Sequence, residues 1–161
     1  MDTRTVMRSL KLAGLSNLIG LLLLATTGGA DTGGWLITPE EAAMAPAADV
    51  TRGILEIGRE DLSVGPVIDV VEPSNGSRLP MPVHVLIHFA PFSEPVDLAS
   101  LKVVLIKFIL VDITDRIRPY VTPEGIQVKE AKIPPGKHRV RITLADQAGT
   151  ISIKEVSFEV L

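Results

Sequence analysis

Ile133-Pro-Pro-Gly-Lys-His-Arg-Val-Arg-Ile-Thr-Leu-Ala-Asp-Gln-Ala-Gly-Thr-Ile-Ser-Ile-Lys-Glu-Val-Ser-Phe-Glu-Val-Leu161 is the stretch whose reading decides the fold. His138, Val140, Ile142 and Leu144 alternate with Lys137, Arg139, Arg141 and Thr143. That period of two is the mark of a half-buried strand. Asp146-Gln-Ala-Gly149 supplies turn chemistry, since Asp bonds its own backbone and Gly accepts positive φ. A second strand follows and brings Phe158 and Val160 to one face. The stretch is a β-hairpin that closes a sandwich.

Working outward, the same signals recur upstream. Pro66-Val-Ile-Asp-Val-Val-Glu72 reads as a first strand, stopped by the dense turn signal Pro73-Ser-Asn-Gly-Ser77. Asn75-Gly-Ser77 also fits the glycosylation sequon, but behind a bacterial-looking signal it is read as a turn. Val83-His-Val-Leu-Ile-His-Phe89 puts Val83, Val85, Ile87 and Phe89 on a core face, with His84, Leu86 and His88 on the other. Leu101–Phe108 is a third strand. Ile109–Ile113 either extends it or forms a short partner. Asp112–Gly125 is a polar connection with two prolines, and Ile126–Ala131 is the next strand. Six or seven short strands at this spacing predict an all-β antiparallel sandwich over 65–161.

The front of the chain differs. Arg4, Arg8 and Lys11 precede the apolar run Leu12–Ala25, and Gly28-Gly-Ala30 offers small residues for cleavage. Residues 1–30 thus read as an export signal, with an uncleaved anchor as the alternative. The run is shorter than the ~20 residues a spanning helix needs. The remainder is expected in the periplasm or outside the cell.

The 161 residues carry a formal net charge of −3 and no cysteine. Disulfides, thiolate metal sites and cysteine nucleophiles are excluded, as is a lipoprotein anchor. Removing Arg4, Arg8, Lys11 and Asp2 leaves 13 basic and 18 acidic residues, a net of −5. No bulk electrostatic case arises for nucleic acid or anionic membranes. From Asp31 to Glu72, which includes the leader of residues 31–64, nine acids stand against Arg52 and Arg59 alone, whereas the rest of the chain after the signal is slightly basic. Within the leader, Thr38-Pro-Glu-Glu41 is a helix start: an N-cap Thr, Pro at the first helical position and Glu41 at the capping-box position. Pro46 keeps this helix short, and a short helix is marginal in water. The single Trp beside it therefore points to docking, either on this chain's own sandwich or on another protein.

From Pro66 to Leu161, about three-fifths of the chain, the order of motifs resembles the bacterial immunoglobulin-like domains of exported proteins. The matching pieces are Val71-Glu-Pro-Ser-Asn-Gly76, Phe89-Ala-Pro-Phe-Ser-Glu-Pro-Val-Asp97, Ser100-Leu-Lys-Val103, Pro135-Gly-Lys-His138, Leu144-Ala-Asp-Gln-Ala-Gly149 and Phe158-Glu-Val160. The resemblance implies a structural role for His138, whose position often holds an aromatic at a strand corner. The layout also looks like the small periplasmic copper-binding sandwiches of the copper-resistance type. Two departures weigh against copper: no histidine stands near Asp31, and Ala148-Gly-Thr150 replaces the Asp-Gly-His that family tends to carry.

Candidate chemistry is sparse. His84 and His88, four residues apart on a strand, are separated by about 13 Å, too far to share one ion. Asp112, Asp115, Glu124 and Asp146 could converge at one end of the sandwich to hold calcium, but lack the dense alternation of a calcium loop. Pairing of Asp112 or Asp115 with Arg116 or Arg118 is the simpler account. No Gly-x-Ser-x-Gly elbow and no phosphate-cradling glycine loop is present. The expectation is a non-catalytic exported module without a cofactor, acting as an accessory subunit in protein–protein interaction. The alternative is a periplasmic copper- or calcium-binding domain. The contact residues expected for a partner are Trp35, Leu36 and Ile37, with the basic stripe Lys137, Arg139 and Arg141 as the surface for an acidic segment.

Overall fold

A computed structural model describes residues 34–47 and 65–161. The segment expected as the export signal and most of the linker after the short helix lie outside the described residues. The described chain is an all-β sandwich with few and short helices. One sheet has four strands in the order β1-β3-β7-β6, with β1 at Val67–Glu72, β3 at Val83–Ala90, β6 at Val121–Thr122 and β7 at Gly125–Ala131. The other has five in the order β2-β9-β8-β4-β5: Arg78–Leu79, Ile151–Val160, Gly136–Asp146, Val96–Ile106 and Leu110–Asp112. Every pairing is antiparallel except β2 with β9.

The closing hairpin forms as its alternation dictates. β8 and β9 pair in unbroken register from Gly136↔Val160 to Ala145↔Ile151. The turn between them is held by Asp146, whose Oδ1 accepts from the Thr150 amide at 2.8 Å, while Gly149 takes positive φ. Val140, Ile142, Leu144, Val156, Phe158 and Val160 face inward and meet Val83, Val85, Ile87 and Phe89 of β3 across the core. A one-residue slip would invert every one of these side chains, so the apolar faces themselves fix the register.

Three expectations are corrected. The strand expected at Leu101–Phe108 runs instead from Val96 to Ile106. Its early start depends on an irregularity between Asp97 and Lys102, where Ser100 Oγ donates to the Asp97 carbonyl and accepts from the Ala145 amide. Such a bulge keeps pairing alive across residues whose pattern is not alternating. Its early end follows from a tight turn in which the Lys107 amide donates to the Ile109 carbonyl, and Leu110–Asp112 returns as the partner strand β5. The short strands β2, β5 and β6 bring the total among the described residues to nine rather than six or seven.

The third correction concerns Asp112–Gly125, expected to be a polar connection. It contains the short helix α2, Thr114–Ile117, and a 3-10 turn at Arg118–Tyr120. Ile113 and Ile117 enter the core, and Thr114 Oγ1 accepts from the Val103 amide at 2.9 Å. Asp112 Oδ1 accepts from the Thr114 amide and starts the turn. Polar composition concealed two apolar anchors four residues apart, the spacing of one helical face.

Candidate interaction surface

The leader residues docked on the sandwich are the feature that sets this chain apart from a bare sandwich. Gly34–Ala47 forms a strap across one end of it. At its centre is α1, Pro39–Ala43, which begins as the sequence dictates. Thr38 Oγ1 accepts from the Glu41 amide at 3.3 Å, and the Glu41 carboxylate accepts from the Thr38 amide at 2.9 Å, completing a capping box. Five residues of helix cannot stand alone in water, so packing must hold it.

That packing comes from this chain. Trp35 bridges to Lys132 next to the end of β7, and the Leu36 amide donates to the Lys132 carbonyl at 3.1 Å. Leu36 is 5% exposed and Ile37 1% exposed, both inside the main apolar cluster. Trp35 itself is only partly covered. Of the two docking surfaces considered for Trp35-Leu-Ile37, the structure realises the intramolecular one. Downstream, the buried ammonium of Lys107 donates to the Ala42 and Lys137 carbonyls at 3.0 and 3.1 Å. The Phe108 amide donates to the Ala45 carbonyl at 2.9 Å.

The strap's electrostatic anchor is Glu41 with Arg116. The guanidinium of Arg116, presented by α2, donates to both carboxylate oxygens at 2.7 and 2.8 Å and to the Leu36 carbonyl at 3.2 Å. Both side chains are largely covered. Arg116 holds the Glu41 carboxyl below its ordinary value of 4.5, outweighing the opposing effect of burial. Of the pairings expected between Asp112 or Asp115 and Arg116 or Arg118, Asp115 with Arg118 forms, whereas Arg116 pairs with Glu41. A forked donor matching a carboxylate is the geometry Arg favours over Lys.

Arg116→Met should therefore lower the unfolding free energy by about 2–3 kcal/mol, because it strands a buried carboxylate. Glu41→Gln should lose less, since it retains the cap. A double-mutant cycle in urea checks the coupling, and a coupling below about 0.5 kcal/mol would refute the anchor. The pH sign follows from the lowered pKa. The pair's contribution is complete above the ordinary carboxyl value of 4.5 and declines as pH falls below it.

The basic stripe lies on the outer face of β8. Arg141 is already engaged, its Nε donating to Glu155 of β9 at 2.7 Å directly across the ladder. Lys137 stands opposite Glu159, which pairs with Arg78 at 2.9 Å. Arg139 is half-buried opposite Ser157. The described acid that anchors the strap, Glu41, goes to Arg116 and not to this stripe.

The candidate metal residues stay dispersed. His84 Nδ1 donates to the Glu72 carboxylate at 2.6 Å, and His88 is exposed elsewhere on β3. Asp112 and Asp146 cap turns, and Asp115 pairs with Arg118 at 3.3 Å. Among the described residues, no three His, Asp or Glu side chains gather where one ion could be held.

His138 lies inside the sandwich, its ring 5.5 Å from that of Phe158. Its Nε2–H donates to the Pro134 carbonyl at 2.8 Å. Burial, reinforced by the charge of Lys107, pushes its pKa below the ordinary 6.5, against the opposing pull of the Pro134 carbonyl. The folded state thus holds fewer protons than the unfolded state near neutrality. Stability should be complete above the ordinary value and fall as pH drops below it, a loss that His138→Gln abolishes. Urea titrations across that range test this, and identical pH slopes in both proteins would refute it.

One feature escaped the sequence. Phe108, Ile109 and Leu110, at the β4–β5 turn, form an exposed apolar run, with Phe108 66% and Leu110 62% exposed. In sequence they look like the continuation of a core strand. Only the turn at Lys107–Ile109 reverses the chain and turns them outward.

No family model matches the chain, and no curated protein matches it. Among solved structures, the crystal structure of CopC from Methylosinus trichosporium OB3b is similar over 58% of this chain and 93% of that chain, at 16% identity and a TM-score of 0.40.

Proposed function

We propose that this chain is a non-catalytic exported module of immunoglobulin-like type that acts by protein–protein interaction, as an accessory subunit of an envelope assembly. The observation that carries the reading is the outward-facing run Phe108-Ile109-Leu110. Three consecutive apolar side chains at a turn are costly to leave in water, and such exposed patches mark interaction sites. The turn is also braced, because the strap fixes the Phe108 amide through Ala45. A rigid apolar tip loses little conformational entropy on binding. Periplasmic or extracellular placement rests on the sequence of residues 1–30.

The test is capture from the native envelope fraction with the full exported chain and a Phe108→Ser/Leu110→Ser variant. Specific partners retained by the parent and lost by the variant support the reading. Partners retained equally by both refute the role of the tip. The copper or calcium alternative is tested by metal titration of the melting temperature, because an ion bound only by the native state must raise it.

A further inference from the structure

Beside the strap lies a cleft of about 340 Å³, walled by Pro46 and Ala47 of the strap, Ser77, Lys107, His138 and β9 residues ending at Glu159. Its chemistry is unusual in three respects. Lys107 is 5% exposed, yet its ammonium is matched only by two neutral carbonyls, with no carboxylate within ion-pair distance among the described residues. One of its three N–H groups remains after those two bonds. His138 is 2% exposed and uses only Nε2, so its Nδ1 is buried without a partner. Ser77 Oγ is likewise buried without a partner. Buried polar atoms of this kind are rare because burial strips them of water without returning a partner, and two residues lining one cleft share the defect.

We propose that this cleft binds the oxyanion head of a small solute, held by the Lys107 ammonium, the Ser77 hydroxyl and a proton acquired at His138 Nδ1. The three groups then act as donors of the kind an oxyanion accepts: one N–H from Lys107, the O–H of Ser77 and an N–H of the imidazolium. The Ser77 hydroxyl reaches the anion by rotation about its single χ1. The proton comes from solvent, adds to the Nδ1 lone pair and stays there while the anion is bound. Binding is therefore coupled to the uptake of one proton.

Charges around the imidazole favour the same sign of ligand. Lys107 faces it from the turn after β4, and Lys137 precedes it on β8. The only carboxylate among the described lining residues is Glu159 on β9, which Arg78 of β2 pairs at 2.9 Å. An anion offsets the buried ammonium, which nothing else in the described cleft does. Without the anion, burial first and the charge of Lys107 second keep the imidazole neutral.

Sulfate and acetate are suitable probes, since sulfate does not titrate in the relevant range and acetate represents a carboxylate. The full exported chain is titrated with each at constant ionic strength set by chloride, following the imidazole signals of the three histidines by NMR and the affinity by calorimetry. The expected result is a saturable shift of the His138 signals, absent at His84 and His88. Affinity should weaken about tenfold per pH unit above the His138 pKa, as uptake of one proton requires. Ser77→Ala and His138→Gln should each weaken binding at least about tenfold, while circular dichroism confirms their fold. Saturation by sulfate alone identifies a tetrahedral oxyanion site, and saturation by acetate extends it to carboxylates. An unmoved His138, a pH-independent affinity or undiminished binding by Ser77→Ala overturns the proposal.

Discussion

Ile37→Ala is expected to lower the unfolding free energy by about 2–5 kcal/mol, as large as the loss from truncating a residue of the central sheets. The residue belongs by sequence to a leader and by packing to the core, where it is 1% exposed. Ile37 also borders an apolar pocket of about 50 Å³ between the sheets, together with Val103, Ile117, Ile142 and Phe158. Truncation enlarges that space, and the neighbouring strands are too constrained by their ladders to close over it. Urea denaturation with an unchanged m-value is the measurement, since it reports stability without a change in the surface exposed. A loss below about 0.5 kcal/mol, typical of exposed sites, would mean that the strap does not dock in solution.

The second large effect is expected at Gly125, which opens β7 at φ +146°. A side chain there is strained by the backbone and also collides with the Ile87 carbonyl of β3. The collision is with main chain, at the end of the β3–β7 ladder where His88 pairs with Gly125, so no flexible side chain can give way. Gly125→Ala should therefore cost more than about 3 kcal/mol and move the β3–β7 register. Gly149→Ala is the control. It also sits at positive φ, but no atom lies near where its Cβ would be built. Its loss should be only the intrinsic cost of the left-handed region, about 1–2 kcal/mol. Equal losses at the two positions would show that backbone conformation, and not the close approach, limits Gly125.

Legibility divided along a physical line. The β8–β9 hairpin and β3 were readable because alternation, turn chemistry and burial all agree there. The Thr38 cap was readable because a capping box is closed within four residues. Helix α2 was not. Its stabilising contacts, Thr114 to the Val103 backbone and Ile117 to the core, involve strands that local pattern cannot place. The early start of β4 was hidden for the same reason, because its bulge is satisfied by the Ala145 amide of β8.

The candidate contact residues divide similarly. Trp35-Leu-Ile37 was recognisable as a docking segment because a marginal helix beside the only Trp needs a surface. Which surface was undecided, since this chain's own core and another protein's groove present the same chemistry to Leu and Ile. Likewise, Lys137, Arg139 and Arg141 were recognisable as an outward stripe, but Arg141 is committed to Glu155, fourteen positions away.

The sequence by itself determined the all-β class, the closing hairpin, the core face of β3 and the start of α1, all set by short-range periodicity and backbone stereochemistry. Only the tertiary structure decided that Leu36 and Ile37 complete the core, that Glu41 meets Arg116, and that Phe108–Leu110 turn outward. It likewise decided that Lys107, Ser77 and His138 wall one cleft. The reason is distance along the chain. Glu41 and Arg116 are 75 residues apart, and no local pattern encodes a pairing that exists only after two sheets have closed on each other.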